Sequence, residues 1–182
     1  MKIKRIRNIA IAVLMSAFVI YCVGDLIKNI SSYKHIVIGD GYISVPKQVM
    51  DDGKMLSSEF SVYIENDRCK ILGFEDGTEE VRQDYIDKIG LSKEIIQQLG
   101  RINDVATIQS LIGIEESSII DSGELHKPSF NQYLIRYSVK NDAEMCIVVF
   151  QKDNKDIVQI MELSPEYLSE NQIKKIIEGI GI

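Results

Sequence analysis

The chain begins with a basic segment followed by an uncharged apolar run, and this order constrains the rest of the chain more than any other feature. The basic residues are Lys2, Lys4, Arg5 and Arg7, and sixteen residues without charge, 9–24, follow them. Export machinery reads such a pattern and keeps the basic end in the cytoplasm. We therefore expect the chain after about residue 25 to lie outside the cytoplasm.

The apolar run is short for a membrane span, which leaves two fates open. Sixteen helical residues extend about 24 Å, whereas a hydrocarbon core is about 30 Å thick. Residues 9–24 either contact membrane lipid as a single-pass anchor, with the basic side chains reaching the inner surface, or are removed as a signal peptide after Gly24. The anchor predicts a cell-membrane protein with a cytoplasmic N-terminus, and cleavage predicts a secreted one.

Cys22 raises a third fate, that of a lipoprotein acylated on this thiol. Tyr21 occupies the position where lipoprotein processing requires a small residue. The sequence therefore favours an anchor or a signal peptide over a lipid-modified cysteine.

Charge separates the N-terminal segment from the remainder. Residues 1–30 carry a net charge of +4 within a chain of net charge −6, so residues 31–182 carry −10. An acidic domain is repelled by phosphate backbones, and we expect no nucleic-acid partner. The same excess of negative charge also favours solubility of the domain.

Residues 31–182 are expected to form one exported domain. About 150 residues suffice for one substantial core and are few for two. The chain contains only three prolines, Pro46, Pro128 and Pro165, and no low-complexity stretch divides it. Residues 1–30 are then the anchor or signal peptide together with a short stalk.

Hydrophobic patterning predicts mainly strands in this domain. Alternating or continuous apolar runs separated by turn residues are typical of strands, and an Asp-Gly pair at Asp40-Gly41 indicates a hairpin. The predicted strands are residues 36–38, 42–45, 60–64, 69–74, 108–114, 118–125, 133–139, 145–150 and 157–163. The last two are apolar at nearly every position, so both of their faces are expected to be covered.

Three segments have helical periodicity instead. One stripe runs over residues 81–89 after a capping-box pattern at Asp76 and Glu79, and a second short helix is predicted over residues 92–99. A C-terminal helix follows Ser169-x-x-Gln172, another capping box. The resulting expectation is an α+β fold, an antiparallel sheet with helices packed on its faces, preceded by an N-terminal transmembrane or signal helix.

The order of these elements resembles a known fold. Residues 41–46, Gly-Tyr-Ile-Ser-Val-Pro, end an early strand, and a hairpin, a helix, several antiparallel strands and a C-terminal helix follow. This order is similar to the Mog1/PsbP-like fold of photosystem accessory proteins and small exported bacterial proteins. The resemblance covers roughly residues 41–180. The family shares no catalytic residues, so the resemblance implies a fold and assigns no site.

The chemistry of the chain points away from catalysis. The two histidines, His35 and His126, are isolated, without the spacing of a metal site, and His126 is expected on a solvated loop. The chain lacks a nucleophile elbow, a phosphate loop and a dinucleotide fingerprint. We therefore predict no enzymatic activity, no catalytic residues, no cofactor and no metal site.

Two cysteines of the exported domain leave a disulfide open. Cys69 and Cys146 both fall in predicted strands, in a compartment that oxidises thiols. A bridge between them would close a loop of about 77 residues and add roughly 4 kcal/mol of stability. The favoured alternative is two buried free thiols that act as small apolar side chains.

These observations predict a membrane-tethered, extracytoplasmic, non-enzymatic module of the cell envelope that binds a protein partner. The alternative is an exported protein that binds a small ligand or a hydrophobic molecule between sheet and helix. A third class, a hydrolase, would require a deep pocket that joins two carboxyl groups in contrasting environments.

Overall fold

A computed structural model of the protein describes residues 32–76 and 81–181, together with Met15. The predicted anchor or signal helix, residues 9–24, lies outside the described residues apart from Met15. The chain divides into two compact units, residues 1–34 and 35–182. Within the described part of the chain, no helix is both long and apolar enough to cross a membrane.

Nine described strands form two sheets. Strands β1 and β2 make a separate two-stranded ribbon, and the other seven form one antiparallel sheet in the order β3-β4-β5-β9-β8-β7-β6. The strands are β1 (Tyr33–Ile38), β2 (Gly41–Pro46), β3 (Lys54–Ser57), β4 (Ser61–Asn66), β5 (Cys69–Glu75), β6 (Ile119–Lys127), β7 (Phe130–Ser138), β8 (Glu144–Lys152) and β9 (Lys155–Leu163).

Five α-helices accompany the strands in the described residues. They are α1 (Lys47–Asp51), α2 (Gln83–Ile89), α3 (Lys93–Leu99), α4 (Val105–Ile112) and α5 (Glu170–Glu178). The prediction of an α+β fold with an antiparallel sheet and helices is confirmed.

Both faces of the large sheet are covered, as the apolar runs of β8 and β9 predict. On one face, α2, α3 and α4 pack on a single buried cluster that includes Tyr63, Ile147 and Ile160. The strand registers place Met161 and Val148 on the opposite face. That second face carries α5 and the β1–β2 ribbon. Strands β8 and β9 lie in the interior of the sheet, where both faces are covered.

The C-terminal helix α5 forms as its sequence predicts. Ser169 accepts a hydrogen bond from the backbone N–H of Gln172, and the Gln172 side chain accepts one from the backbone N–H of Ser169, which completes the capping box. Ile173, Ile176 and Ile177 of this helix are buried. Their burial stabilises the docked helix by about 2 kcal/mol per side chain as an upper estimate.

The predicted strand over residues 108–114 is wrong, because residues 108–112 belong to helix α4 and Gly113 ends that helix. Asp104 caps the helix by accepting a hydrogen bond of 2.6 Å from Thr107 N–H, and Gly113 ends it with φ +73°. A short apolar run is compatible with both a buried helix and a strand, and here the Asp104 cap indicates the helix.

The predicted start of helix α2 is also wrong. The helix begins at Gln83, and Arg82 is its N-cap residue without a side-chain cap. The backbone N–H of Asp76 instead donates 2.9 Å to the carbonyl of Asp156, which extends the sheet beyond β5. Glu79, the other half of the predicted capping box, lies outside the described residues.

Candidate functional site

The strand β6 forms one edge of the seven-stranded sheet, and its outer side is the candidate site. It pairs with β7 through a two-residue turn at Pro128-Ser129, where proline fixes the backbone for a tight reversal. Nine residues of strand extend about 30 Å. In the described part of the chain no other strand pairs with the outer side of β6, so its outward N–H and C=O groups are open to an added strand.

Two large apolar side chains are exposed on this edge. Ile120 is 51% exposed and Leu125 is 41% exposed. Gly123 lies between them, and a Cβ built on it would meet no atom within 4 Å. A bulge between Ile119 and Asp121 shifts the register with β7 at the start of the strand. The edge therefore presents an apolar group near each end of an open, flat centre.

A cleft of about 600 Å³, here called the acidic cleft, opens beside Ile120 at the N-terminal end of helix α5. Its lining residues come from β6, the β7–β8 connection, the segment after β9 and the first turn of α5. Four of them are carboxylates: Asp142, Glu144, Glu166 and Glu170. Ile120, Leu168 and Ile173 give the same cleft an apolar part.

The buried side chain of Arg136 connects the elements around the acidic cleft. Arg136 is 6% exposed and lies on β7. Its Nη2 donates 3.0 Å to Glu144 on β8 and 2.9 Å to Glu170 on α5, and its Nε and Nη1 donate to the second oxygens of the same carboxylates. Two bidentate pairs satisfy the guanidinium and fix α5 against the sheet.

The charge of Arg136 shifts the titration of this network. Hydrogen bonds from the Arg136 guanidinium lower the pKa of the exposed Glu170 carboxyl. Hydrogen bonds to Glu144 and Glu170 raise the pKa of Arg136 itself. Arg136 and Glu170 therefore stay ionised through neutral pH, and their ion pair holds one wall of the acidic cleft in place.

A second cleft of about 370 Å³, here called the aromatic slot, opens beside Leu125 at the other end of β6. Tyr42, Leu125, Phe130, Phe150 and Ile180 are among the residues that line it. The Phe130 and Phe150 rings stack with centroids 4.9 Å apart.

The wall of the aromatic slot nearest α5 is held by Gln132. Its Nε2 donates 2.9 Å to the carbonyl of Ile177, which satisfies one of the free carbonyls at the end of α5. The two clefts thus open at the two ends of α5 and at the two ends of the exposed edge of β6.

The structure places the two histidines apart. His35 lies on β1, where its Nδ1 is 2.8 Å from Ser44 Oγ. His126 lies on β6, so the predicted loop position is wrong, since the strand continues to Lys127. Hydrogen bonds with Asn131 and Glu124 raise the pKa of His126, because both stabilise its charged form.

Cys69 and Cys146 are both free and buried in the structure. Cys69 lies on β5 and Cys146 on β8, and β9 runs between those strands. Strands two positions apart in a sheet are separated by about 10 Å, which exceeds the Cα distance a disulfide spans. Burial raises the pKa of the Cys69 thiol to about 12, as expected for an unreactive thiol.

The half-buried carboxyl of Asp156 lies near that of Asp76 at the far end of β5 and β9. Burial and the nearby charge of Asp76 raise the pKa of Asp156 to about 6. Gln151 shares this cluster and donates 2.8 Å from Nε2 to the carbonyl of Ile102, which fixes the α3–α4 connection. Among residues 32–76 and 81–181, no group of three or more His, Cys, Asp and Glu side chains is arranged to hold a metal ion.

Neither the β6 edge nor the role of Arg136 was directly indicated by the sequence. Residues 118–125 were interpretable as a strand, but the pattern does not say whether a strand lies at an edge. One signal was present: Arg136 interrupts the buried apolar stretch of β7 between Ile135 and Tyr137, and a charge in such a position requires a partner.

Comparison with protein-family models gives no family that matches this chain, and comparison with curated proteins gives no match either.

Proposed function

We propose that the protein is a non-enzymatic interaction module of the cell envelope, in which residues 31–182 bind a protein partner on the extracytoplasmic side of the membrane. Residues 9–24 would act as a single-pass anchor with a cytoplasmic N-terminus, as the basic and apolar patterning of the first 24 residues favours. The alternative is release of the domain after signal cleavage. The Mog1/PsbP-like resemblance remains a prediction about the fold.

The single observation that supports a binding role is the open edge of β6. Strand addition at an exposed edge gives affinity through main-chain hydrogen bonds, and neighbouring clefts give specificity through alternate side chains. The nine residues of β6 provide the backbone, and the acidic cleft and aromatic slot provide a cleft at each end. An extended segment of a partner protein fits this arrangement.

The surroundings of the two histidines also favour binding over catalysis. Within the described residues, neither His35 nor His126 lines the acidic cleft or the aromatic slot. Two carboxylates of the acidic cleft, Glu144 and Glu170, are engaged instead with Arg136, and these bidentate pairs hold α5 against the sheet.

Site-specific photo-crosslinking in intact cells tests the proposal. A photoreactive amino acid replaces Leu125 on β6, and in the matched control it replaces Leu56 on the opposite sheet edge. These leucines are 41% and 42% exposed, so they offer equal access. We expect a reproducible adduct with one envelope protein at position 125 and none at position 56. Equal adducts at both positions, or none at either, would contradict the proposal.

A small-ligand function has one observation in its favour, the aromatic slot. Its volume of about 370 Å³ is within the usual range for ligand sites, and aromatic rings line it. Mass spectrometry of the protein purified under native conditions tests this candidate. A co-purified apolar molecule that is lost in Leu125→Lys and retained in Leu56→Lys would favour the ligand over the protein partner.

A further inference from the structure

The acidic cleft carries an excess of negative charge that its own cations do not balance. Four carboxylates line it, and two cations lie against it. Arg136 is paired with Glu144 and Glu170, and Arg68 stacks on the Tyr167 ring at 5.0 Å from its centroid. The cleft is therefore left with a net charge of about −2 by simple charge counting.

The shape of the acidic cleft suits a long cationic side chain. Its lining includes the apolar side chains of Ile120, Leu168 and Ile173 beside the carboxylates. Lysine and arginine combine an apolar stem with a charged end, so the stem covers apolar surface while the charge meets the carboxylates. Asp142 and Glu166 are exposed and lie at the mouth, where an incoming cation meets them first.

The aromatic slot has a different preference. Its two charged lining residues, Lys152 and Glu178, have opposite signs. The stacked rings of Phe130 and Phe150 form an apolar wall. An uncharged apolar side chain suits such a slot, because the opposite charges of Lys152 and Glu178 leave no net charge to attract an ion.

The spacing of the two clefts sets the spacing of the two side chains. Ile120 and Leu125, one beside each cleft, are five residues apart, about 17 Å along the strand. Side chains on one face of an added strand recur every second residue, so residues i and i+4 are about 13 Å apart. The length of a lysine or arginine stem supplies the remaining distance. Gly123 leaves the surface between the two clefts open.

We propose that the partner of β6 is an extended segment with a lysine or arginine in the acidic cleft and an apolar residue, four positions away on the same face, in the aromatic slot. This inference rests on the proposed function, since it names the chemistry of the partner that the β6 edge binds.

Titration calorimetry of the full chain in a nonionic detergent, with synthetic nonapeptides, tests the inference. The first peptide carries lysine and leucine four positions apart in a threonine background, and the second replaces the lysine by norleucine, which keeps the stem and removes the charge. Peptides with lysine before leucine and peptides with leucine before lysine are both used, so that parallel and antiparallel addition to β6 are both tested. Hydrogen exchange of the β6 amides reports strand addition independently of affinity.

The matched protein variants change charge without touching Arg136. Asp142→Asn with Glu166→Gln removes two carboxylates from the mouth of the acidic cleft. Asp51→Asn with Asp52→Asn removes two exposed carboxylates beside α1, remote from β6 in the sheet order. We expect the lysine peptide to bind about fivefold more weakly to the first variant and within about twofold of the parent to the second.

Four results distinguish the inference from the proposed function. Tighter binding of the lysine peptide, lost in the cleft variant, supports both. Equal binding of the lysine and norleucine peptides, with β6 amides protected, overturns the cationic partner and leaves strand addition in place. Absence of peptide binding together with a cross-linked partner at position 125 overturns the inference alone, and absence of both overturns the proposed function as well.

Discussion

The two edges of the seven-stranded sheet expose similar apolar side chains and differ in almost everything else. On β3, Met55 is 47% exposed and Leu56 is 42% exposed, close to the values of 51% and 41% for Ile120 and Leu125 on β6. Exposed apolar residues are common on protein surfaces and do not by themselves mark a binding site. Exposure therefore does not distinguish the two edges.

Length and surroundings distinguish them. Strand β3 has four residues, about 13 Å of backbone, and short edge strands are a known protection against unwanted pairing. Strand β6 has nine residues and runs from the acidic cleft to the aromatic slot. The comparison teaches that an edge becomes a candidate docking surface when open backbone is long and when clefts lie beside its apolar residues.

The largest expected difference between the edges concerns the ion pairs behind them. Arg136→Met leaves the Glu144 carboxylate in a largely buried position without its cation, and we expect a loss of about 3–5 kcal/mol in the free energy of unfolding. Behind β3, Lys88 pairs with Glu65 at 2.6 Å on the surface. Lys88→Met is expected to cost less than about 1 kcal/mol. Urea denaturation of both variants checks this, and equal losses would break the comparison.

The next effect concerns partner binding. Leu125→Lys places a charge beside the aromatic slot, and we expect at least about a tenfold loss of affinity, as for truncation of a binding hot spot. Leu56→Lys on β3 is expected to change affinity less than about twofold. Affinity is measured with the partner found by cross-linking at position 125. A comparable loss from both substitutions would show that the effect is general and does not depend on β6.

A smaller effect concerns the pH dependence of the free energy of unfolding. The pKa of Asp156 is raised to about 6 in the folded protein. A carboxyl with a raised folded pKa destabilises the protein above that pKa, and the cost disappears as the pH falls below its unfolded value near 4. We expect Asp156→Asn to increase stability by about 1 kcal/mol at pH 7.5, allowing for solvent screening, with no gain at pH 3.5.

Chemical denaturation at the two pH values measures this difference. Asp153→Asn, at the exposed turn three residues earlier, is the control and is expected to have little effect at either pH. A gain from Asp156→Asn that is equal at pH 3.5 and 7.5 would contradict the proposed burial of this carboxyl.

The smallest expected effect is a pH dependence specific to β6. His126 lies on this strand and has a raised pKa, so it becomes charged at a higher pH than an ordinary histidine. The added positive charge weakens attraction to a cationic partner, and we expect affinity for the lysine nonapeptide to fall about twofold from pH 8 to pH 6. His126→Asn is expected to remove this dependence. An unchanged pH profile in that variant would contradict the assignment of this dependence to His126.

The regular parts of the fold were readable from local patterns. The capping box at Ser169 and Gln172 locates α5, and the continuous apolar runs of β8 and β9 indicate strands covered on both faces. Helix α4 was not predicted because its apolar run fits both the helical and the strand period. The residue that indicates a helix, the N-cap Asp104, lies outside that run. Helix α1 and strand β3 were missed because four or five residues carry too little periodicity.

The candidate site was not predictable for a different reason. Its position depends on strand order, and β6 lies at an edge because β5 pairs with β9 and not with β6. One partner of Arg136 is also remote in sequence, since Glu170 follows it by 34 residues. Local patterns indicate which residues form strands and helices, whereas pairing across the chain determines which backbone remains open.

Hydrogen exchange at the two edges tests the central claim most directly. Amides of β6 and β3 are compared in the full chain alone and in its complex with the partner identified by cross-linking, and the exchange of each edge is measured peptide by peptide. The account predicts exchange slowed at least about tenfold on β6 and unchanged on β3, because an added strand engages the open amides. Slowed exchange on β3, or on neither edge, would contradict it.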